Sequence, residues 1–298
     1  MPARLISHNW ETTFLHLFEH AAEELVIVSP FIGREPVEAL SKALCQRREV
    51  RLRCIFNYSA SHLLSGGVDG EAVALLAKTC PRTSVFHLGG LHAKVYIADR
   101  KIALVTSANF TWSGWLRNRE VGVWLDEPNL VRDAYQWVEG VQQISTPLEE
   151  EDLDRLAQIS TTLQAAPPAP SFSTKQKAAT EAIRGVLLGA RVRAAQANQR
   201  VGGQVSPSMS ENRIFASTIL YLLETQGPLT TRALHPLIQA LHPELCDDTV
   251  ERIINGVRFG KRWKHMVRNA QQYLKRTGQI AYNPRTREWA IIQPEQTD

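Results

Sequence analysis

His92 and Lys94 are separated by one residue, Asp99 follows Lys94 after four, and Thr106-Ser107-Ala108-Asn109 follows after six more. An imidazole can act as a nucleophile, an ammonium can hold an anionic oxygen, and hydroxyl and amide groups can donate to the oxygens that remain. Metal-independent cleavage of a phosphodiester needs these groups, because the ester's own negative charge must be neutralised while phosphorus is attacked. Residues i and i+2 of a strand share one face, so His92 and Lys94 are expected to point together and Ala93 into the fold. The alternation of Val95 and Ile97, then of Ile102 and Leu104, predicts two short strands joined at Ala98-Asp99-Arg100-Lys101. That hairpin returns Ser107 and Asn109 toward His92.

With these residues in view, the segment resembles the HKD motif of the phospholipase D superfamily, H-x-K-x4-D followed by G-S-x-N. Thr106 stands where the motif has glycine and is expected to crowd the strand end. The run Phe110-Thr111-Trp112-Ser113-Gly114 and then Asn118-Arg119-Glu120 is similar to what trails the motif in single-motif bacterial nucleases of that superfamily. The resemblance implies a covalent phosphohistidine on His92, phosphate binding by Lys94, Ser107 and Asn109, and Glu120 as the acidic partner of the histidine. It also implies a second motif, whose histidine protonates the leaving oxygen and then activates water. No other H-x-K occurs in the 298 residues, so the expected site is shared between two copies across a two-fold axis. Asp99 belongs to the motif, with a structural role expected at its hairpin. His8, His16, His20, His62, His87, His235, His242 and His265 lack spacings that argue a catalytic set.

Elements able to carry the motif surround it. Helical spacing covers Trp10 to Ala22, Glu35 to Gln46 and Glu71 to Cys80, while Leu25 to Val28, Arg51 to Phe56 and Val85 to Leu88 read as strands. Val121, Val123 and Leu125 predict a further strand and Leu130 to Ile144 an amphipathic helix. This alternation is α/β, and the resemblance implies a phospholipase D-like α/β/α sandwich. The acidic run Glu149 to Asp152 is expected to open a solvated helix.

Ala165 to Ser171 is a proline-rich spacer, followed by an alanine- and arginine-rich helical stretch. We therefore expect a catalytic domain over 1–160, a linker with a basic helix over 161–210, and a second domain over 211–298. Charge divides the same way: residues 1–173 carry 16 Lys/Arg against 20 Asp/Glu, and residues 174–298 carry 18 against 10. The second region reads as a helix ended by Gly227-Pro228, a second helix capped by Thr230 and Thr231, a basic helix, and a hairpin with Asn283-Pro284 at its turn. Trp263, Val267, Ala270, Tyr273-Leu274-Lys275, Gly278 and Trp289-Ala290-Ile291 resemble the amino-terminal DNA-binding domain of Mrr-type restriction proteins, which implies a winged helix. Lys261, Arg262, Lys264, Arg268, Arg285 and Arg287 are the candidate phosphate contacts.

Apolar content of 44% is ordinary for a globular protein. Cys45, Cys54, Cys80 and Cys246 lack paired spacing for zinc and read as reduced thiols. There is no signal-like start or membrane span, which favours the cytoplasm. The expected function is a metal-independent, cofactor-free DNA endonuclease working as a homodimer in restriction, antiviral defence or DNA repair. RNA stands as an alternative substrate, defence or repair proteins are further partners, and no membrane is involved. The rival reading is a noncatalytic DNA-binding regulator that dimerises through a phospholipase D-like domain.

Overall fold

The computed structural model of the chain describes residues 3–44, 46–165, 172–202, 208–254 and 257–292. Two units emerge, Met1–Ala190 and Arg191–Asp298. The first runs β1 (Ala3–Ile6), α1 (Trp10–His20), β2 (Glu24–Val28), α2 (Arg34–Leu44), β3 (Arg51–Phe56), α3 (Ala60–Leu64), α4 (Gly70–Thr79), β4 (Thr83–His87), β5 (Val95–Ala98), β6 (Ile102–Thr106), β7 (Gly122–Leu125), α5 (Pro128–Gln143), β8 (Thr146–Leu148) and α6 (Glu150–Ala165). The strands form one mixed sheet in the order β1-β7-β6-β5-β2-β3-β4-β8. β2, β3 and β4 are parallel, and β5 lies antiparallel to β2.

Alternation along the central strands explains the layering. Leu25, Ile27, Leu52, Cys54, Phe56, Tyr96 and Leu104 join the apolar cluster that also takes in α1, α2, α4 and α6. Val26, Val28, Ile97 and Ala103 are buried outside that cluster, while α5 buries Val131, Val138 and Val141 and contacts β5 and β6. Both faces of the sheet are therefore covered, giving the expected α/β layering. Three short elements have no counterpart in the sequence reading. β1 is an exposed edge strand, β8 is three residues around Pro147, and α3 is barely more than a turn. The acidic run does open α6, but Asp152 turns inward and accepts from the Glu149 N–H at 3.0 Å.

β5 and β6 are joined as the alternation predicts. Asp99 and Arg100 both hold positive φ (53° and 55°), and the Lys101 N–H donates to the Ala98 carbonyl at 2.9 Å, the geometry of a type I′ turn. The Asp99 carboxylate accepts from the N–H groups of Ala22, Glu23 and Glu24 at 2.8–2.9 Å, tying the hairpin to the start of β2. Burial works against that charge, but the three N–H donors win and hold the carboxyl below the ordinary aspartate range.

In the second unit, α8 (Ser208–Gln226), β9 (Leu229–Thr230), α9 (Thr231–Leu241), β10 (Glu251–Ile254), β11 (Val257–Lys261), α10 (Arg262–Arg276), β12 (Ile280–Asn283) and β13 (Glu288–Ile291) follow α7 (Phe172–Gly202). Gly227 ends α8 with φ 78°, and the Thr230 hydroxyl caps α9 by accepting from Ala233 N–H at 3.1 Å. The three helices α8, α9 and α10 enclose a core of Phe215, Ile219, Leu234, Val267, Leu274 and Trp289, with a three-stranded sheet ordered β12-β13-β9 against it. The units divide inside α7 and not across a linker over 161–210. The reason is apolar: Ala179, Ile183, Val186, Leu187 and Ala190 of α7 are buried in the first unit's cluster. Most of the proline-rich spacer, residues 166–171, lies outside the described residues.

Asp99→Asn keeps the positive-φ turn, which asparagine tolerates, and removes the carboxylate. Loss of about 1–2 kcal/mol at pH 7 is expected from weakening these charge-assisted bonds. Because the folded carboxyl titrates below the unfolded value of about 3.9, its contribution is present above that pH and is lost as pH falls through the folded pKa. Urea melts from pH 7 to pH 3 should show the wild-type and variant curves converging in acid; a constant gap would contradict this assignment.

Candidate active site

The motif residues meet where β5 begins and β6 ends. β5 starts at Val95, so His92, Ala93 and Lys94 precede the strand, and Ala93 is part-exposed and not directed into the fold. The ladder still reaches Lys94, whose carbonyl accepts from Thr106 N–H at 3.1 Å. That bond places Lys94 beside Thr106 and Ser107. An open cleft of about 450 Å³ results, lined by His92, Lys94, Thr106 and Ser107 over a floor of Val95, Val105 and Val123.

His92 is exposed at the cleft, whereas Lys94 is buried and its Nζ donates to the His92 carbonyl at 2.7 Å. The two do not stand side by side on a strand face. The ammonium folds back beneath the histidine's backbone. Burial draws the Lys94 pKa below the ordinary lysine range, and the negative charge of Glu120 opposes that shift.

Ser107 is held on both sides. Its hydroxyl donates to Glu120 Oε2 and accepts from Val121 N–H at 3.1 Å, while Glu120 Oε1 accepts from the Asn118 side chain at 3.0 Å. Among the described residues no hydrogen bond joins Glu120 to the His92 ring, so its carboxylate acts on Ser107 and, through charge, on Lys94. Asn109 follows in a segment pinned from below. Tyr96 Oη donates to the Ala108 carbonyl at 3.0 Å, and Phe110 N–H donates to the buried Ser29 hydroxyl at 3.1 Å. Asn109 Oδ1 is buried with no partner. A single π-helical turn, Ser113–Arg117, brings Gly114 so close to Asn109 that a Cβ there would stand 2.5 Å from its carbonyl oxygen. The same turn seats Trp115 against Phe14, stacked at 4.8 Å. Asp99 is not in the site. It closes the other end of the hairpin, roughly 17 Å along β5 by strand rise.

Thr106 does not narrow the cleft in the way its bulk suggests. Its hydroxyl donates to the Val121 carbonyl and accepts from Ala108 N–H, both at 3.0 Å. Its partner in the ladder is Gly122, where a Cβ would meet Thr106 Cβ at 2.7 Å and Trp10 at 2.8 Å.

His62, set aside on spacing, belongs to this edge of the sheet. It follows the end of β3, donates from Nδ1 to the Asn57 carbonyl at 3.2 Å and packs on Phe31 at 4.4 Å. Burial lowers its pKa, and charge on His87 or His92 lowers it further, so both lie within electrostatic reach. No sequence spacing could find it, because it is placed by the end of β3, whose parallel pairing with β2 is long-range. Among the described residues there is no group of three or more His, Cys, Asp or Glu arranged to hold a metal, and no helix is long and apolar enough to cross a membrane. Cys54, Cys80 and Cys246 are buried, and Cys45 lies outside the described residues.

In the second unit, Lys261 ends β11 and precedes α10, which carries Arg262, Lys264 and Arg268; Arg285 and Arg287 lie on the exposed turn between β12 and β13. His235 of α9 packs edge-on against Trp263. Its pKa is pushed down to about 4, by burial first and then by Lys264 and Arg268. Arg191 is buried and bonds His242 Nδ1 at 3.0 Å and the Glu244 carboxylate. It therefore serves the core and is not a nucleic-acid contact.

Residues 14–141 match the family model described as cardiolipin synthase, PLD-like domain. NucT from Helicobacter pylori is similar at 20% identity over 46% of this chain and 92% of that one, with a TM-score of 0.38. A phospholipase D family member, Nuc from Salmonella typhimurium, is 17% identical over the same shares, with a TM-score of 0.39. Phosphatidylserine synthase of Haemophilus influenzae Rd KW20 is 13% identical over 55% of this chain and 45% of that one, with a TM-score of 0.41. No curated protein matches the chain.

Two outcomes are expected. Gly122→Ala should cost about 2–3 kcal/mol by overpacking, and pairing it with Thr106→Gly should cost less than the two single changes added, measured as a double-mutant cycle in urea. Additive costs would refute the contact. Lys94→Met removes a disfavoured buried charge, so it should raise stability at pH 7 by about 1 kcal/mol. The sign follows from the lowered pKa: the penalty on folding is complete below the folded value and vanishes above the unfolded one, about 10.4.

Proposed function

We propose that the chain is a metal-independent phosphodiesterase that cleaves DNA, with His92 as nucleophile. The observation that carries this reading is the convergence of His92, Lys94 and Ser107 on one cleft. The His92 imidazole attacks phosphorus, the bond to the leaving oxygen breaks, and that oxygen takes a proton from the His92 of a second copy. Water then attacks the phosphohistidine and gives its proton to that same second imidazole. Lys94 leaves the His92 carbonyl to hold a nonbridging oxygen, and Ser107 and Asn109 donate to the phosphate. Glu120 orients Ser107 and keeps Lys94 protonated.

A second copy also fits the surface beside His92. Leu5, Val123, Val105 and Val95 form one row across β1, β7, β6 and β5, and Leu5, Val105 and neighbouring Val121 are 69%, 40% and 52% exposed. An apolar patch of this kind next to an incomplete site favours a homodimer. The second unit is read as a winged helix: β9, α9, α10 and the hairpin β12–β13 supply its order, and the basic residues of α10 and the β12–β13 turn supply phosphate contacts. Tethering such a module raises the local concentration of DNA at the cleft. Restriction, antiviral defence or repair would each use such an enzyme.

Plasmid incubated with the wild-type protein in EDTA should be nicked or cut, and His92→Ala should lose at least about 10³-fold of that activity. Sedimentation should give a dimer at micromolar concentration. Equal inactivity of the two proteins would overturn the reading in favour of a noncatalytic DNA-binding regulator, and duplex RNA cut in preference to DNA would reassign the substrate.

A further inference from the structure

Between α9 and α10 the chain makes a two-stranded ribbon, β10–β11, that belongs to neither of the other sheets. Its register slips by one residue, from Glu251 opposite Lys261 to Ile253 opposite Arg258, so that Phe259 and Gly260 together face Arg252. Gly260 absorbs the bulge with φ 89°. Ribbon and helix are fastened together: Arg262 N–H donates to the Val250 carbonyl at 3.0 Å, and His265 Nε2 donates to the Phe259 carbonyl at 2.6 Å. The ribbon nevertheless leaves two large apolar side chains in solvent, Ile253 at 59% and Phe259 at 50% exposure.

Charge identifies what covers them. Arg258 shares a face of the ribbon with Ile253 and Arg252 shares the other with Phe259, and both arginines are exposed. Lys261, Arg262 and Lys264 continue the basic surface onto the first turn of α10, whose end has no side-chain cap. Glu251 is the acidic residue on the described ribbon, and it already sits 3.4 Å from Arg258 and 3.8 Å from Lys261. Apolar groups framed by cations suit a polyanion that also offers an apolar interior. A two-stranded ribbon fits a DNA groove, where side chains such as Ile and Phe can contact base edges or wedge between base steps while arginines meet the phosphates.

We propose that the β10–β11 ribbon is a DNA-contacting element, laying the face that carries Ile253 and Arg258 in a groove of duplex DNA, with Ile253 on the base edges and Arg258 at a phosphate. This rests on the reading of the second unit as a DNA-binding module and adds a contact beyond its basic helix and hairpin.

The test is fluorescence anisotropy of a labelled duplex with the full chain, carrying His92→Ala to prevent cutting, between 50 and 200 mM salt (about the range over which phosphate contacts show). Ile253→Ser should weaken binding about tenfold and leave the salt slope unchanged, because apolar contacts release no counterions. Arg258→Ala, at a side chain 77% exposed and free of the core, should reduce the slope by about one. Thermal melts of each variant check folding. Ribbon variants that bind as tightly as the parent while Lys264→Ala binds weakly would overturn the ribbon assignment and leave the module's DNA binding standing. Loss of self-association without loss of DNA affinity would also overturn it, by making the ribbon a protein contact. A parent chain that binds no duplex at any salt would remove the underlying reading as well.

Discussion

Register between β5 and β6 is the constraint on which the site depends. The turn at Asp99 and Arg100 sets one pairing, Ala98 with Ile102 across three intervening residues, and every later pair follows up to Val95 with Val105. The next bond, Thr106 N–H to the Lys94 carbonyl, then delivers Ser107 to the cleft. A slip by one residue would exchange the faces of both strands, burying Val105 and exposing Leu104. Asp99 holds this register twice, through its positive φ and through three backbone donors on the neighbouring strand. A residue at the far end of the hairpin thereby sets where Lys94 and Ser107 stand relative to each other.

Much of this was legible because the hairpin is local. Counting residues from His92 to Asn109 suffices when the intervening turn is this short. Tertiary partners were not legible. The side chain of Lys94 turns onto its own chain, and Glu120 joins Ser107, although neither fact follows from spacing. His62 is placed by the end of β3, whose parallel pairing with β2 is long-range and leaves no local mark. The β10–β11 ribbon went unread for a different reason: Glu251, Arg252, Arg258 and Lys261 interrupt apolar alternation, and a bulge at Gly260 breaks what remains. In the same way, the alanine- and arginine-rich stretch reads as a connector by composition, while the positions of Ala179, Ile183, Val186 and Leu187 make its first half part of a core.

The residues that carry the Mrr-like resemblance illustrate how scaffold and contact separate. Trp263, Val267, Ala270, Leu274 and Trp289 are all buried. Trp289 and Gln271 both donate to the Thr231 hydroxyl, and Trp263 donates to Asp248. Such residues specify how helices pack, so a match among them speaks to architecture. Recognition has to come from the exposed positions between them, which are free to differ.

The fit between Thr106 and Gly122 reaches past this one chain. Each occupies the volume that the other gives up, with Trp10 closing the third side. Among descendants of a common ancestor, bulk at the first position should therefore be tolerated only where the second has none, and loss of one side chain should open room for the other. The bulk at Thr106 is thus accommodated by its bare neighbour on the next strand, so the pairing of β6 with β7 survives it.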